Sequence, residues 1–108
     1  MKDVVCFSGV AEKVYYAKRF PYGVRVDVCN NGLVYPLFES GDFDWGCNNR
    51  YSFCFAKAIL FDAAGPNIAN TYADDFNDDF ISRMPERGFV LPYKAITEWL
   101  ELDKGVRV

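Results

Sequence analysis

The stretch VRVDVCNNGLVYPL, residues 24–37, decides how this chain begins to fold. Val24, Val26 and Val28 alternate with Arg25, Asp27 and Cys29, the period of a strand with one buried face. Asn31-Gly32 follows, a pair that tolerates the positive φ required at both positions of a type I′ hairpin loop. A two-residue loop sets the register: Asn30 faces Leu33, Val28 faces Tyr35 and Val26 faces Leu37. The valines and their partners then share the face that carries Val24, so patterning and turn chemistry agree. Pro36 falls opposite Asp27 with no N–H to offer, which places its strand at a sheet edge or at its own end.

Working outward, Val4–Phe7 and Val14–Ala17 are short β-prone runs split by Ser8-Gly9. Residues 39–50, ESGDFDWGCNNR, have the composition of a loop. From Tyr51 to Ala64 the only charges are Lys57 and Asp62, the pattern of a helix buried nearly all round. Asn49 or Ser52 is its expected N-cap and Gly65-Pro66 its stop. A second helix is expected from Ile68 to Met84, capped by Asn67 or Asn70 and halted before Pro85. Its residues Ala69, Tyr72, Ala73, Phe76, Phe80 and Met84 share one arc, and Asp74, Asp75, Asp78 and Asp79 share the opposite one. Phe89–Leu91 reads as extended, and Pro92 opens a third helix through Leu102. The expected architecture is α+β: one domain, residues 1–108, with an N-terminal antiparallel sheet of three or four strands followed by three helices packed on one face.

Composition narrows the function classes. Net charge is −3, with six bases and six acids in residues 1–50 but six bases and nine acids in residues 51–108. Binding to nucleic acid through overall charge is disfavoured, while a local basic patch stays open. The four cysteines (6, 29, 47, 54) include no CxxC pair, and histidine is absent, so neither a structural metal nor a cofactor is expected. Neither a leader peptide nor a membrane span is legible. Free thiols in a bacterial cytoplasm are the expected state, with a disulfide as the alternative.

The quartet Phe43-Asp44-Trp45-Gly46, the helix residues Ala56, Ala58, Ile59 and Leu60, then Phe76, Phe80, Ile81 and Pro85, and finally Leu91, Ile96, Trp99 and Leu100 carry a resemblance. The chain resembles a small domain family of unknown function from bacteriophages and bacteria, with an F-[DE]-W-G…L-A-I-L motif and a C-terminal I-x-x-W-L helix. The likeness spans about residues 43–100. It implies a phage or mobile-element setting and no activity that can be carried over. The glycine-rich stretch of that family is Asn48-Asn49-Arg50-Tyr51-Ser52 here, bulkier side chains that speak against an anion cradle.

The chemistry of the residues is sparse. Without histidine the usual general base is missing, Cys47 and Cys54 lack an activating neighbour, and Asp42 with Asp44 reads as turn-forming. No enzyme is expected. Phe43 and Trp45 read as packing residues that fold the loop back onto the first helix, with Gly46 turning the chain and Asp44 bonding loop amides or the indole. A small-molecule pocket beside Trp45 is the competing reading. The leading expectation is a non-enzymatic protein-binding module that engages a host or phage protein complex through Asp74, Asp75, Asp78 and Asp79. Inhibition of a host defence complex, of the anti-CRISPR type, is its most specific form. The alternative is a single-stranded nucleic-acid binder using Tyr16, Lys18, Arg19 and Phe20, where cations interleave with aromatics.

Overall fold

A computed structural model describes residues 13–37 and 43–107. The strand expected at Val4–Phe7 lies outside the described residues. In chain order the elements are β1 (Lys13–Phe20), β2 (Gly23–Asn30), β3 (Leu33–Pro36), α1 (Arg50–Ala64), α2 (Pro66–Asp79), a 3-10 turn (Ile81–Arg83), β4 (Gly88–Pro92) and α3 (Tyr93–Lys104). The four strands form one antiparallel sheet in the order β3-β2-β1-β4.

The Asn31-Gly32 hairpin is present in the expected register, with Asn30 opposite Leu33 and Val28 opposite Tyr35. Asn31 and Gly32 take φ of 59° and 87°, which is what the loop type demands. Pro36 ends β3, the sheet edge. The extended run at Phe89–Leu91 joins the sheet as β4, beside β1. The fourth described strand is therefore delivered after two helices. Gly88 permits that approach: it sits opposite Lys18, and a Cβ there would collide with the Ala17 carbonyl oxygen.

Alternation divides the sheet into two faces. Tyr15 and Ala17 of β1, Val26 and Val28 of β2 and Leu91 of β4 are buried on the face that meets the helices. Tyr16, Lys18 and Phe20 project from the other face, as period two requires. Buried Phe55, Ala56, Ile59 and Leu60 of α1 and Ile96, Trp99 and Leu100 of α3 complete the core.

Helix boundaries correct the expectations in two places. Asn49 caps α1 with a full capping box, its side chain accepting from the Tyr51 and Ser52 amides while Ser52 Oγ accepts from the Asn49 amide. The helix is not buried all round, however: Cys54 and Lys57 are exposed, and Tyr51 and Phe61 are 42% and 57% exposed. One apolar side faces water because α2 and the sheet cover only the rest. α2 starts at Pro66, not Ile68, with Gly65 at its cap instead of Asn67 or Asn70, and it ends at Asp79. Gly65 at φ 93° closes α1 and opens α2 in one residue, so no room remains for a side-chain cap. Ile81–Arg83 is a 3-10 turn and Met84 is already extended.

Candidate functional surfaces

The FDWG segment is a stitched junction. Trp45 is 1% exposed and packs against Phe55 and, edge-on, against Phe89, with ring centroids 5.5 Å away in both cases. Its indole N–H donates to the carbonyls of Pro85 (2.9 Å) and Glu86 (3.1 Å). Gly46, at φ 77°, donates its amide to the Ile81 carbonyl, and a Cβ there would sit 3.1 Å from the Met84 carbonyl oxygen. Asp44 bonds the Trp45 amide, as one of the two expected bonds, but it does not take the indole.

Arg19 belongs to this junction, on the opposite sheet face from Tyr16, Lys18 and Phe20. It lies on the helix-facing side of β1, its guanidinium 4.5 Å from the Trp45 ring centre. It donates to the Glu86 carbonyl (2.8 Å) and to Asp44 Oδ1 (3.0 Å). Burial would push the Asp44 carboxyl up, but the bonds from Arg19, the Trp45 amide and the Cys47 thiol outweigh it and hold the group below the usual carboxylate range. Burial first, and then the bond to Asp44, push the Cys47 thiol up, away from the thiolate a nucleophile needs. Cys54 is a free, exposed thiol. The expectation of free thiols holds for these two and fails for Cys29, which is buried and engaged. Among the described residues no cluster of three metal-ligating side chains exists, and no helix is long and apolar enough to cross a membrane.

A half-buried polar cluster at the other end of the sheet escaped the sequence reading. Asp62 of α1 takes Lys13 Nζ (2.8 Å), Tyr15 OH (2.7 Å) and Tyr35 OH (3.3 Å). Burial, then the Asp62 carboxylate, push the Tyr15 phenol strongly up, and the same causes raise Tyr35. With its carboxylate satisfied by three donors, the cluster is a rivet between α1 and the sheet. Only the lone acid near the end of an apolar helix hinted at it.

All four acids of α2 are exposed. Asp74 has no partner among the described residues. Asp75 Oδ2 holds Lys104 Nζ (2.8 Å), Asp78 Oδ1 accepts from Asn48 Nδ2 (2.7 Å), and Asp79 Oδ2 accepts from the Trp99 indole (2.9 Å). Asp75 first raises the Lys104 ammonium, with Asp79 and Asp103 adding to it. The expected opposition of acid and apolar arcs is thus softened at Asp79, which leans onto buried Trp99. Of the four residues expected to touch nucleic acid, Tyr16, Lys18 and Phe20 share the outer sheet face and Arg19 is removed from it.

Sheet order and one-sided helices define an α+β domain in which four antiparallel strands are backed by α1 and α3, with α2 packed on α1. A family model described as a family of unknown function (DUF6166) matches residues 11–102, and the chain belongs to that family. No curated protein and no solved structure matches it.

Proposed function

We propose that this is a non-enzymatic module that docks a basic protein surface through the acidic side of α2. The observation that carries the reading is that Asp75, Asp78 and Asp79 are each oriented through one carboxylate oxygen while staying exposed. Acceptors already held in place lose less freedom on binding than mobile ones. Asp74 and Asp103 extend the patch, so five carboxylates stand against the two cations Arg83 and Lys104. The Asp75–Lys104 pair is a surface salt bridge, screened by solvent and readily displaced by a partner's arginine.

The absence of histidine and the raised Cys47 thiol support a non-enzymatic role. A partner with a nucleic-acid groove, such as a nuclease complex of host defence, would present the matching charge. The phage setting of that finer reading comes from the resemblance, and the cytoplasmic location from the sequence expectation of free thiols without a leader peptide.

The test is affinity capture from bacterial lysate with the tagged chain and with Asp74→Asn, Asp75→Asn, Asp78→Asn and Asp79→Asn combined. Asparagine keeps an acceptor oxygen for Trp99 and Asn48, so the fold survives while the charge goes. The expected result is a specific set of proteins lost with the variant, at unchanged circular dichroism. Equal recovery by both proteins overturns the proposal.

A further inference from the structure

We infer that the hairpin end of the outer sheet face is a second, independent binding surface whose ligand is single-stranded nucleic acid. Phe20 and Tyr22 stack with ring centroids 5.2 Å apart and planes 9° from parallel. Tyr22 is 85% exposed, so one side of its ring lies on Phe20 and the other is open to solvent. A tyrosine held in that way gives the core almost nothing. It offers a flat, oriented platform on which any base can stack.

Cations stand beside the platform. Lys18 and Arg25 are directly opposed across β1 and β2, both exposed and both on the outer face. Two like charges opposite each other repel, a local cost that a bound anion would relieve. Lys18 Nζ lies over the Phe20 ring, 5.6 Å from its centre, so a cation that a backbone phosphate could pair with belongs to the platform itself. Arg25 uses Nε on Asp27 (3.0 Å), which leaves its two terminal nitrogens for a phosphate. Asp27 is the sole acid of β1 and β2.

Net acidity does not argue against this surface, because the charge is segregated. The aspartates of α2 lie on the helix side of the sheet, packed beyond α1, while Lys18 and Arg25 project from the opposite face. Two cations are few for a duplex, whose affinity comes chiefly from many phosphate contacts. Stacking supplies the remainder, and only unpaired bases present their faces. The surface is sized for on the order of two stacked bases, a small fraction of what a full single-strand-binding domain covers.

The experiment is fluorescence anisotropy of labelled oligo(dT), with a duplex of the same length and an oligo-glutamate peptide as competitors. Expected is binding of the single strand at low salt, weak competition by the duplex and none by the peptide. Tyr22→Ala, at an exposed site, lowers affinity about tenfold or more, the loss of one stacked base. Lys18→Gln with Arg25→Gln reduces the slope of log affinity against log salt by about 1.4, two phosphate contacts' worth for a single strand. No binding at low salt, or binding indifferent to both variants, overturns the inference. Peptide competition equal to that of oligo(dT) also overturns it and assigns the surface to an acidic protein. Neither result touches the α2 proposal, which uses other residues.

Discussion

Trp45 lies in a segment with the composition of a loop, yet it is among the most completely buried side chains in the protein. Its burial depends on small neighbours as much as on its own size. Gly46 turns the chain beside it, and Gly88, at φ of 153° with any Cβ colliding with the Ala17 carbonyl, lets β4 approach β1. Gly88→Ala should cost about 2–4 kcal/mol, since backbone strain and a backbone clash add. Gly32→Ala, at φ 87° with nothing within 4 Å, should cost only about 1 kcal/mol. Urea denaturation of the two variants measures both, and equal losses would mean that the close approach of β4 to β1 has been misread. Asp44 adds a pH signature. Its carboxyl is depressed in the folded protein, so its stabilising effect is complete above the unfolded value near pH 4 and fades as pH falls through the folded one. Asp44→Asn should be less stable at neutral pH and show a shallower acid limb in thermal melts. The role of Asp44 was half legible, because a short acid before a tight turn bonds a nearby amide. Arg19 was grouped with Tyr16, Lys18 and Phe20, although strand alternation puts residue 19 on the opposite face from residues 16, 18 and 20.

Among the elements, the register of β2 against β3 was readable because its signals are local, an alternating run joined by Asn31-Gly32. The start of α2 was not readable. Gly65-Pro66 looks like a gap between helices, but Gly65 is shared by both and Pro66 is the first helical residue, where its missing N–H costs nothing. The outward side of α1 was also misjudged, since an apolar sequence says what a helix could bury and not how much of it neighbours reach. The Asp62 rivet pins α1 to β1 and β3 and gives this layer its own pH dependence. Tyr15 is raised, so its neutral form is the one that stabilises the fold; the effect is complete below the unfolded phenol value near pH 10 and is lost as pH rises above it. Tyr15→Phe should melt with less sensitivity to alkali than the parent, and an unchanged alkaline limb would assign that sensitivity elsewhere.

At the scale of the molecule, the sheet is closed by its most distant partners. β1 is flanked by β2 and by β4, and the Arg19–Glu86 bond spans 67 residues of chain. No local pattern predicts such a neighbour, so the extended character of Phe89–Leu91 was visible while its place in the sheet was not. The amides of β1, bonded on both sides, should exchange only through global unfolding, and those of β3 at the edge about tenfold faster or more. Hydrogen exchange followed residue by residue checks this order, and equal rates in β1 and β3 would contradict it. Charge is organised on the same scale, acids beyond the helices and the exposed Lys18–Arg25 pair on the outer face of the sheet, so one small chain can present two unlike surfaces.

The pairing of β4 with β1 also determines how the chain can be divided. Cleaved between Gly65 and Pro66, the first piece keeps β1 with a raw flank and the second carries a strand that has no sheet to join. Each piece lacks what the other displays, so the two, made separately and mixed, should reassemble along that seam and serve as a complementing pair.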